Sequence, residues 1–506
     1  MTTSSWVHDL IAGKPADAVA IIDGDGQRAT YGALEAMSQT LADALASHGV
    51  RGGDRVMLIS ENSIPYGVAI LAISRLKAWV LPVNARQSPD EISAIAAHAD
   101  ARCMIVTHTT SPAAAHHAER LGAATLTDLD CGPIKVTAID ASTPEPVEDD
   151  PATQVGALMY TTGTTSAPKG VMLTHANLVW NAEISAGLRN MTADDLVLGV
   201  LPGTHIFGFS STFLASLYAG CAIRFIPRFD PGAVLDAFAD GASVMPAVPQ
   251  MYERILTHMD ATGRSLSAPR LHYISAGGAP LDPDWKERTE RVFNLPLNNG
   301  YGLTETSPSV ASTPQARPRT DTSVGYAVRD VSLAIKNPNA NGVGELLIKG
   351  PGVMKGYYRN PDATRAVLED DGTLHSGDLA RMEEDGALFI VGRTKELIIR
   401  SGFNVYPPEV EAMLTKHPNV LQAAVVGRLK GGNEEILAFC LTKGAVEESP
   451  LKDWLHDRLV AYKVPQHIFL VEDFPTAATG KILKHKLIDH FSQTIAARDA
   501  ATGSAP

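Results

Sequence analysis

The sequence predicts an α/β protein with a large N-terminal domain of two βαβ-type sheets plus a small β-barrel unit, followed by an α+β C-terminal lid domain. Three observations support this class. The chain has 506 residues, which is too long for one ordinary domain. Strand-like and helix-like patterns alternate through its first half, as in parallel sheets covered by helices. The texture changes near residue 327, where turn residues separate short strands, and again near Arg393.

The alternation begins at Thr30, from which a helical pattern extends to about His48. Apolar runs bounded by turn residues then predict strands, and the segments between them have helical periodicity. In chain order these are strand 55–60, helix 64–76, strand 79–83, helix 89–98 and strand 101–107. A buried strand at 155–160 and a helix from Ala176 come next, and the alternation resumes over 196–274.

The remaining elements define the domain boundaries. Residues 327–352 contain two short predicted strands, 331–335 and 344–348, among Pro, Asn and Gly turns. After Arg393, helix, strand and helix patterns follow through Leu487. We therefore expect an N-terminal domain at 1–392, a hinge at 393–396, a C-terminal lid domain at 397–492 and a flexible tail at 493–506.

Composition and charge exclude several classes of protein. Apolar residues make up 45% and charged residues 20%, and no apolar run approaches the ~18 residues of a membrane span. The net charge of -13 gives no general attraction to nucleic acid or anionic lipid. The four cysteines lie far apart without a CxxC pair, which argues against a zinc site or a disulfide framework. No targeting segment is visible, so the expected setting is the cytoplasm.

The most informative motif is the loop YTTGTTSAPKG at 160–170, between a predicted strand and a predicted helix. Hydroxyls and glycine amides can donate hydrogen bonds to phosphate oxygens, and the Lys169 ammonium adds a charged donor. A Walker A loop is disfavoured because Pro168 precedes the lysine and Gly170 follows it. A polar surface loop is the ordinary alternative, but the combination of residues indicates a nucleotide site.

Further motifs accompany this loop along the chain. They are SAGGAP at 275–280, YGLTE at 301–305, HSGD at 375–378, GRTKELIIRSGFNVYPPEVE at 392–411 and PTAATGKILKHKL at 475–487. Each motif alone is weak, whereas together they cover nearly the whole chain. In this order they resemble the adenylate-forming superfamily of acyl-CoA synthetases, which includes 4-coumarate-CoA ligases, adenylation domains and beetle luciferases.

This resemblance implies that a carboxylic acid reacts with ATP and then with coenzyme A, through an acyl adenylate and with Mg²⁺. A carboxylic acid is already ionised at neutral pH, so catalysis depends on positioning and charge stabilisation rather than on a general base. By the resemblance, Lys481 bridges the attacking carboxylate and the α-phosphate, while Glu305 holds Mg²⁺. The nucleotide-binding residues it implies are Thr161, Thr162, Gly163, Thr164, Thr165, Lys169, Gly277, Gly278, Ala279, Pro280, Asn299, Gly300, Tyr301, Gly302, Thr304, Asp378, Arg393 and Lys481.

The same resemblance implies more specific roles. The glycines at 277–278 would form a flat adenine wall, Tyr301 would stack on the base, and Asp378 would accept both ribose hydroxyls with Arg393 beside it. The catalytic residues would be Lys481, Thr304, Glu305, Lys395 and His205, with Lys395 at the hinge of a mobile lid. The path for coenzyme A would use Arg400, Ser401, Gly402 and Phe403. For each of these residues, a turn, a surface or a core position is the ordinary structural alternative.

One departure from the family pattern is Ser166, where the family loop usually has glycine. If this position needs a positive φ, serine adds roughly 1 kcal/mol of strain.

The acid is less well defined. The resemblance implies an acyl pocket formed by His205, Ile206, Phe207, Phe209, Ala276, Gly300 and Gly302. Ile206 stands where amino-acid-activating relatives have aspartate, so the α-ammonium of an amino acid would lack a counter-ion. Gly302 stands where acetyl-CoA synthetases have tryptophan, which suggests an open pocket. We therefore expect a medium-chain fatty acid, or an aryl or phenylpropenoic acid.

Several alternatives stay open at this point. The acceptor could be a carrier protein, the adenylate could be oxidised as in luciferases, or the chain could be a nucleotide-binding pseudoenzyme that senses. The presence of Lys169, Glu305, Asp378 and Lys481 argues against a pseudoenzyme, and the short stretch after Lys481 leaves no room for a fused carrier domain. The expected partners are ATP, the acid and coenzyme A, without nucleic acid, and a homodimer is an open option.

Overall fold

The computed structural model describes residues 5–161, 169–400, 403–430, 433–444, 446–476 and 482–501. The chain divides into two compact units. The first comprises Met1–Leu333 and Ile348–Leu374, and the second comprises Ala334–Leu347 and His375–Pro506. No helix within the described ranges is long and apolar enough to cross a membrane.

The strands of the described residues, in chain order, are β1 (Val19–Ile22), β2 (Arg28–Thr30), β3 (Arg55–Ser60), β4 (Trp79–Asn84), β5 (Cys103–Val106), β6 (Ala124–Leu129), β7 (Gly132–Val136), β8 (Val155–Thr161), β9 (Lys169–Thr174), β10 (Leu196–Gly199), β11 (Ala222–Phe225), β12 (Val244–Ala247), β13 (Tyr273–Gly277), β14 (Leu297–Gly302), β15 (Ser309–Ser312), β16 (Tyr326–Ala327), β17 (Ser332–Lys336), β18 (Gly344–Lys349), β19 (Gly356–Tyr357), β20 (Leu374–Met382), β21 (Leu388–Arg393), β22 (Ile398–Arg400), β23 (Phe403–Val405), β24 (Val420–Lys430), β25 (Asn433–Thr442) and β26 (His467–Val471).

The α-helices are α1 (Tyr31–His48), α2 (Ile64–Arg75), α3 (Pro89–Ala99), α4 (Pro112–Arg120), α5 (His175–Leu188), α6 (Ile206–Gly208), α7 (Ala215–Ala219), α8 (Pro231–Ala239), α9 (Pro249–Thr262), α10 (Pro283–Phe293), α11 (Pro361–Arg365), α12 (Pro407–Thr415), α13 (Glu448–His456), α14 (Leu487–His490) and α15 (Ser492–Ala501). Shorter turns of 3-10 helix occupy Val7–Ile11, Thr304–Thr306, Thr394–Glu396, Ala461–Lys463 and Lys484–Lys486, and a π-helical segment spans Phe209–Leu214.

The early helices begin and end where their capping residues require. At α1 the Thr30 side chain accepts a hydrogen bond from the Ala33 amide, and Gly49 ends the helix with a φ of 105°. At α3, Ser88 and Glu91 form a reciprocal capping box ahead of the first turn. The predicted alternation of strands and helices is confirmed over this region.

The first unit contains a nine-stranded sheet in its described residues, with the order β16-β15-β14-β13-β12-β10-β11-β1-β2. Its central strands β12, β13 and β14 are parallel. Ile274, Ala276 and Leu297 point into one apolar core with α8, α9 and α10. In open parallel sheets, ligands bind beyond the carboxyl ends of the strands, so the ends of β13 and β14 are the expected position of a site.

A second sheet of the first unit has the order β19-β9-β8-β4-β3-β5-β7-β6 among the described residues. All six residues of β3 are buried, as expected for a central parallel strand covered on both faces. The antiparallel pair β8 and β9 brings Thr161 opposite Lys169, at the two ends of the predicted phosphate loop. Residues 162–168 of that loop lie outside the described ranges.

The second unit contains most of a four-stranded sheet with the order β17-β18-β20-β21, which corresponds to the predicted small β unit. It also contains the hairpin β22-β23 and the sheet β24-β25-β26. The apolar side of the last sheet packs against α12 and α13, where Val410, Leu414 and Leu451 are fully buried. Most of the small β unit thus groups with the C-terminal residues, ahead of the boundary expected at Arg393.

The tail prediction needs correction. Residues 492–501 form helix α15 instead of a flexible segment. Ile495 is buried in a cluster with Phe439 and Phe469, and Asp499 pairs with Arg428 and Lys430 at 2.7 Å each. These contacts come from strands far away in sequence, so local composition does not reveal them. Residues 502–506 lie outside the described ranges.

His175, the first residue of α5, is a buried histidine that tethers the N-terminal segment. Its Nδ1 accepts a hydrogen bond of 3.2 Å from the Val7 amide, and the Trp6 ring packs edge-on at 4.9 Å. Burial lowers the pKa of His175 to about 3, and the nearby His8 and Lys77 act in the same direction. The native fold therefore holds the neutral imidazole.

This burial predicts acid sensitivity. The unfolded chain binds a proton on this residue near pH 6.5, whereas the native chain does not, so the stabilisation is complete above that pH and is lost as the pH falls toward 3. Between pH 7 and pH 5 the loss is about 2 kcal/mol. Thermal unfolding of His175→Asn should show a smaller drop in Tm between these pH values than the wild type. The exposed His116→Asn should keep the full drop, and equal drops in all three proteins would contradict the assignment.

Candidate active site

The carboxyl ends of β13 and β14 bring the predicted adenine-wall residues together. Gly277 lies opposite Gly300 in the parallel register. A Cβ added to Gly277 would lie 3.3 Å from both the Gly300 carbonyl oxygen and the Phe207 ring, so only glycine leaves this surface flat. Gly278 follows with a φ of 77°, a conformation that favours glycine. The strand end is therefore a bare backbone surface beside a half-buried Tyr301.

Asn299 and Gly302, two other predicted residues of β14, also have structural roles. The Asn299 side chain donates to the carbonyls of Thr322 and Ser323, at 3.2 and 3.1 Å, and its Oδ1 accepts from the Gly300 amide. A Cβ on Gly302 would lie 1.7 Å from the Pro308 carbonyl oxygen. Gly302 is thus required by the close approach of the following turn, which is a reason for glycine independent of the acid.

Glu305 is held by a tyrosine from another strand pair. The Tyr357 hydroxyl, on β19, donates a hydrogen bond of 2.8 Å to Glu305 Oε1, and the Lys169 ammonium lies 5.1 Å from the centre of the Tyr357 ring. Burial and the neighbouring Glu305 raise the pKa of Tyr357, so its hydroxyl stays a donor. A carboxylate, a tyrosine and a lysine are thereby connected beside the ends of the phosphate loop.

The second unit places Asp378 and Arg393 face to face. They are register partners on β20 and β21, and Arg393 Nε lies 3.1 Å from Asp378 Oδ1. The Asp378 side chain is only 5% exposed, whereas that of Arg393 is 44% exposed. Both oxygens of a carboxylate can accept several hydrogen bonds, which is the requirement for a carboxylate that accepts hydrogen bonds from hydroxyls beside an arginine.

The loop before His205 is held by Asn62, which follows β3, and by Tyr66 on α2. The Asn62 side chain donates to the carbonyl oxygens of Gly199 and Leu201 and accepts from the Gly203 amide at 2.6 Å. Tyr66 donates to the Gly203 carbonyl at 2.6 Å. His205 itself is exposed and caps α6, since its Nδ1 accepts from the Phe207 amide. The structure thus presents His205 on a firmly held loop instead of in the core.

The predicted acyl-pocket residues separate into two groups. Ile206 and Phe209 are buried, and Phe207 contacts the Gly277 face of β13. Ala276 packs with Ile274 in an apolar core against which Phe207 also packs, and its place in the acyl pocket stays a prediction. Its side chain does not share the face of Gly277.

The C-terminal predicted residues fall partly within the described ranges. Lys395 is exposed in the turn between β21 and β22. Arg400 donates to the carbonyls of Tyr462 and Val464, and Phe403 stacks on the Tyr462 ring at 4.7 Å. Arg400 therefore has a structural partner within its own unit. Ser401, Gly402 and Lys481 lie outside the described ranges, as do Thr162, Gly163, Thr164 and Thr165.

The described residues on either side of Lys481 in the sequence form a β-bridge and two ion pairs. Thr476 and Ile482 pair as an antiparallel bridge. Lys484 lies 2.7 Å from Glu411 and 3.3 Å from Glu396, beside the predicted hinge. Burial raises the pKa of Glu411, and Lys484 opposes that shift. Sequence reasoning missed this trio and also Tyr357, although Lys484 and Glu411 both lie inside the motifs that it recognised.

The site fits Mg²⁺ only with help from a ligand. No group of three or more His, Cys, Asp or Glu side chains in the described part of the chain is arranged to hold a metal. Mg²⁺ commonly binds through one or two carboxylates together with phosphate oxygens and water. The single carboxylate of Glu305, oriented by Tyr357, agrees with that mode of binding.

Family comparison agrees with this geometry. The profile of the AMP-binding enzyme family matches residues 9–358, and that of the AMP-binding enzyme C-terminal domain matches residues 409–481. 4-Coumarate--CoA ligase 5 of Oryza sativa subsp. japonica is 34% identical over 511 residues, covering 95% of this chain and 94% of the relative. A feruloyl-CoA synthase of Amycolatopsis sp is 34% identical over 484 residues, covering 92% and 94%.

Solved structures give the same result. ATP-bound MatB from Rhodopseudomonas palustris has a TM-score of 0.82 and 28% identity, covering 96% of this chain and 99% of that one. The o-succinylbenzoate coenzyme A synthetase MenE from Bacillus subtilis, in complex with ATP and magnesium ion, has a TM-score of 0.81 and 26% identity, covering 95% and 98%. The chain therefore belongs to the AMP-binding enzyme family of the adenylate-forming superfamily, and it is an AMP-forming acid–thiol ligase.

Proposed function

We propose that this enzyme is an ATP-dependent carboxylic acid:CoA ligase. In the first step a carboxylate oxygen attacks the α-phosphorus of ATP, and the bond from that phosphorus to pyrophosphate breaks. In the second step the thiol sulfur of coenzyme A attacks the acyl carbon, AMP leaves with the bonding electrons, and the thiol proton passes to solvent. The observation that carries this proposal is the connected set of Lys169, Tyr357 and Glu305 beside the phosphate loop.

In this proposal the first unit holds the phosphates and the base. Lys169 supplies a positive charge to the phosphate oxygens, while the flat strand end at Gly277 and Gly278 accommodates adenine with Tyr301 beside it. Glu305 would hold Mg²⁺, which neutralises phosphate charge when bound. Because a carboxylate nucleophile is already charged, no described residue needs to act as its general base.

The second unit would contribute the ribose contact and the reactive lysine. Asp378 accepts hydrogen bonds from the ribose hydroxyls, and Arg393 orients the Asp378 carboxylate. We propose that residues 1–392 form the nucleotide-binding domain and that residues 397–492 form a lid that turns about 393–396 between the two steps. Phe403, exposed and stacked on Tyr462, would lie along the route of the pantetheine arm.

For the acid, the curated relatives favour a phenylpropenoate, because those reported above are named for 4-coumarate and ferulate. Ile206 provides no counter-ion for an α-ammonium, which disfavours amino acids. Medium-chain fatty acids and other aryl acids remain within the proposal.

The deciding experiment is AMP release from ATP and Mg²⁺ across short, medium, long, aryl and phenylpropenoic carboxylates, each with and without coenzyme A. Coenzyme-A-dependent AMP release with one class would establish the ligase and its acid. Acid-dependent pyrophosphate exchange without any response to coenzyme A would indicate a carrier-protein acceptor. Absence of both signals with every acid would contradict the proposal.

Tyr357→Phe gives a sharper test of the Mg²⁺ site. The variant keeps the ring beneath Lys169 but removes the hydrogen bond to Glu305. A hydrogen bond to a charged group contributes about 1.5–3 kcal/mol, so we expect a roughly 10- to 100-fold lower kcat/KM for adenylation at limiting Mg²⁺. Part of this loss should be recovered at high Mg²⁺, as measured by pyrophosphate exchange.

The adjacent residue provides the matched control. Tyr358 also donates to a glutamate, Glu145, at 2.7 Å, but on the other side of the strand. Tyr358→Phe should therefore leave the Mg²⁺ dependence unchanged. If both variants show the same Mg²⁺ response, Tyr357 does not orient the metal-binding carboxylate.

A further inference from the structure

The first unit buries an arginine that pairs with no Asp or Glu in the described part of the chain. Arg189, at the end of α5, is 4% exposed. Its guanidinium donates to the carbonyl oxygen of Ser211 and, at 2.7 Å, to the Ser211 hydroxyl. No Asp or Glu of the described residues forms an ion pair with it. An uncompensated buried charge is costly, which makes this arginine a candidate for an anionic or electron-rich ligand.

The surroundings of Arg189 are polar and buried on several elements. Burial raises the pKa of Tyr273, while the neighbouring Arg189, Ser275 and Ser312 act in the opposite direction. The Ser185 and Ser211 hydroxyls are 2.8 Å apart. We call the set the Arg189 cluster, and it comprises Arg189, Ser211, Tyr273, Ser275, Asn298 and Ser312.

Strand alternation places this cluster on the substrate face of the sheet. Ile274 and Ala276 point into the apolar core, so Tyr273, Ser275 and Gly277 share the other face of β13. On that face, a Cβ added to Gly277 would lie 3.3 Å from the Phe207 ring at the strand end. Tyr273 is four residues deeper, which corresponds to about 13 Å along an extended strand. The cluster therefore lies on the same face of the sheet as Gly277, deeper along the strands than the proposed acid site.

A second observation points to a ligand at this depth. Asn298 is the register partner of Ser275, so it occupies the same face. Its Nδ2 donates to the Ile274 carbonyl, but its buried Oδ1 has no hydrogen-bond partner among the described residues. A buried acceptor without a donor is uncommon. The face thus offers a charged donor, several hydroxyls and an unused acceptor.

From these positions we propose that the Arg189 cluster recognises the far end of the acid, and that the preferred acid carries an oxygen group there, remote from its reacting carboxylate. The inference rests on the proposed ligase function and narrows its substrate. A second carboxylate would supply the missing counter-charge to Arg189. A phenolic hydroxyl would accept from Arg189 and donate to an acceptor such as Asn298 Oδ1. The carboxylate and the phenolic hydroxyl both place an oxygen acceptor at the distal end of the acid.

The experiment uses pairs of acids that differ only at that end. Adenylation is measured by pyrophosphate exchange with cinnamate against 4-coumarate and with octanoate against suberate. A site built for a polar group discriminates strongly against an analogue that lacks it. We expect at least a roughly tenfold higher kcat/KM for the oxygen-bearing member of one pair, and the responding pair identifies the phenol or the carboxylate.

The variants then assign this preference to the cluster. Arg189→Met should reduce the preference ratio about tenfold or more, mainly by weakening the oxygen-bearing acid while the other member is retained. Because a buried arginine can matter for folding, Ser211→Ala and Tyr273→Phe provide milder variants that should shift the ratio in the same direction. Ser216→Ala is the matched control, since Ser216 is buried and its hydroxyl donates to the Thr212 carbonyl, outside the Arg189 cluster.

The outcomes distinguish failure of this inference from failure of the proposed ligase function. A ratio that falls in the cluster variants but not in Ser216→Ala supports the inference. Equal or better use of the apolar-ended acids, or a ratio unchanged in the folded cluster variants, would overturn it while leaving the ligase intact. Activity only with acids outside both pairs that lack a distal oxygen would also overturn it. No adenylation of any acid would overturn the ligase proposal itself.

Discussion

Replacing Lys481 with alanine should abolish adenylate formation while sparing the second half-reaction. In the proposed mechanism this ammonium contacts the attacking carboxylate and the α-phosphate, where charge develops in the transition state. Removing one preorganised donor of this kind costs about 10²–10³ in rate, and a charged one should cost at least as much. Acid-dependent pyrophosphate exchange measures the first step. Acyl-CoA formation from supplied acyl adenylate measures the second, which should stay within about threefold of wild type.

The described residues that flank Lys481 in the sequence supply a control for position. The bridge between Thr476 and Ile482 and the bonds of Lys484 to Glu411 and Glu396 hold both sides of its segment in the second unit. Lys486 follows Lys481 in the same motif and is exposed and also basic, so Lys486→Ala controls for a general loss of positive charge. Equal loss of both half-reactions in Lys481→Ala would refute its assigned role. A comparable loss in Lys486→Ala would indicate a field effect of the whole basic segment.

Local pattern was sufficient for the strands and helices of the first unit from α1 to β5. Strand β3 is buried throughout and lies near the centre of a covered sheet, and α1 begins after the cap Thr30, so the apolar run at 56–59 and the capping residue both agree with the predicted elements. Such agreement between local signals and global position makes an element predictable. Helix α15 was missed because its support comes from Arg428 and Phe439, far upstream in the chain.

The sequence predicted the site residues that belong to recognisable motifs. It did not predict the residues whose positions depend on tertiary packing. Asp378 and Arg393 came from motifs, and the register of β20 and β21 brings them together. Tyr357 was missed because its bond to Glu305 depends on β19 pairing with β9, which no local pattern records. Arg189 resembles an ordinary surface residue at the end of a helix. Only the folded sheet shows that it is buried beside Tyr273.

The second large effect is expected at Asp378. Asp378→Asn removes the charge that pairs with Arg393 and, in the proposed mechanism, weakens both hydrogen bonds to the ribose. Hydrogen bonds to a charged group contribute about 1.5–3 kcal/mol each, so the KM for ATP should rise about 100-fold or more. The exposed Glu384, in the turn between the same two strands, supplies the control Glu384→Gln, which should leave that KM unchanged.

Nucleotide analogues distinguish ribose binding from a general disturbance of the second unit. Wild-type enzyme should use 2′-deoxy-ATP and 3′-deoxy-ATP about tenfold less well than ATP, because each analogue lacks one hydroxyl that Asp378 accepts. In Asp378→Asn the three nucleotides should become nearly equivalent, since the group that discriminates among them has lost its charge. The interaction between the protein change and the nucleotide change isolates that contact. If the variant has a higher KM for ATP but still discriminates tenfold, Asp378 supports the fold of β20 and β21 and another residue binds the ribose.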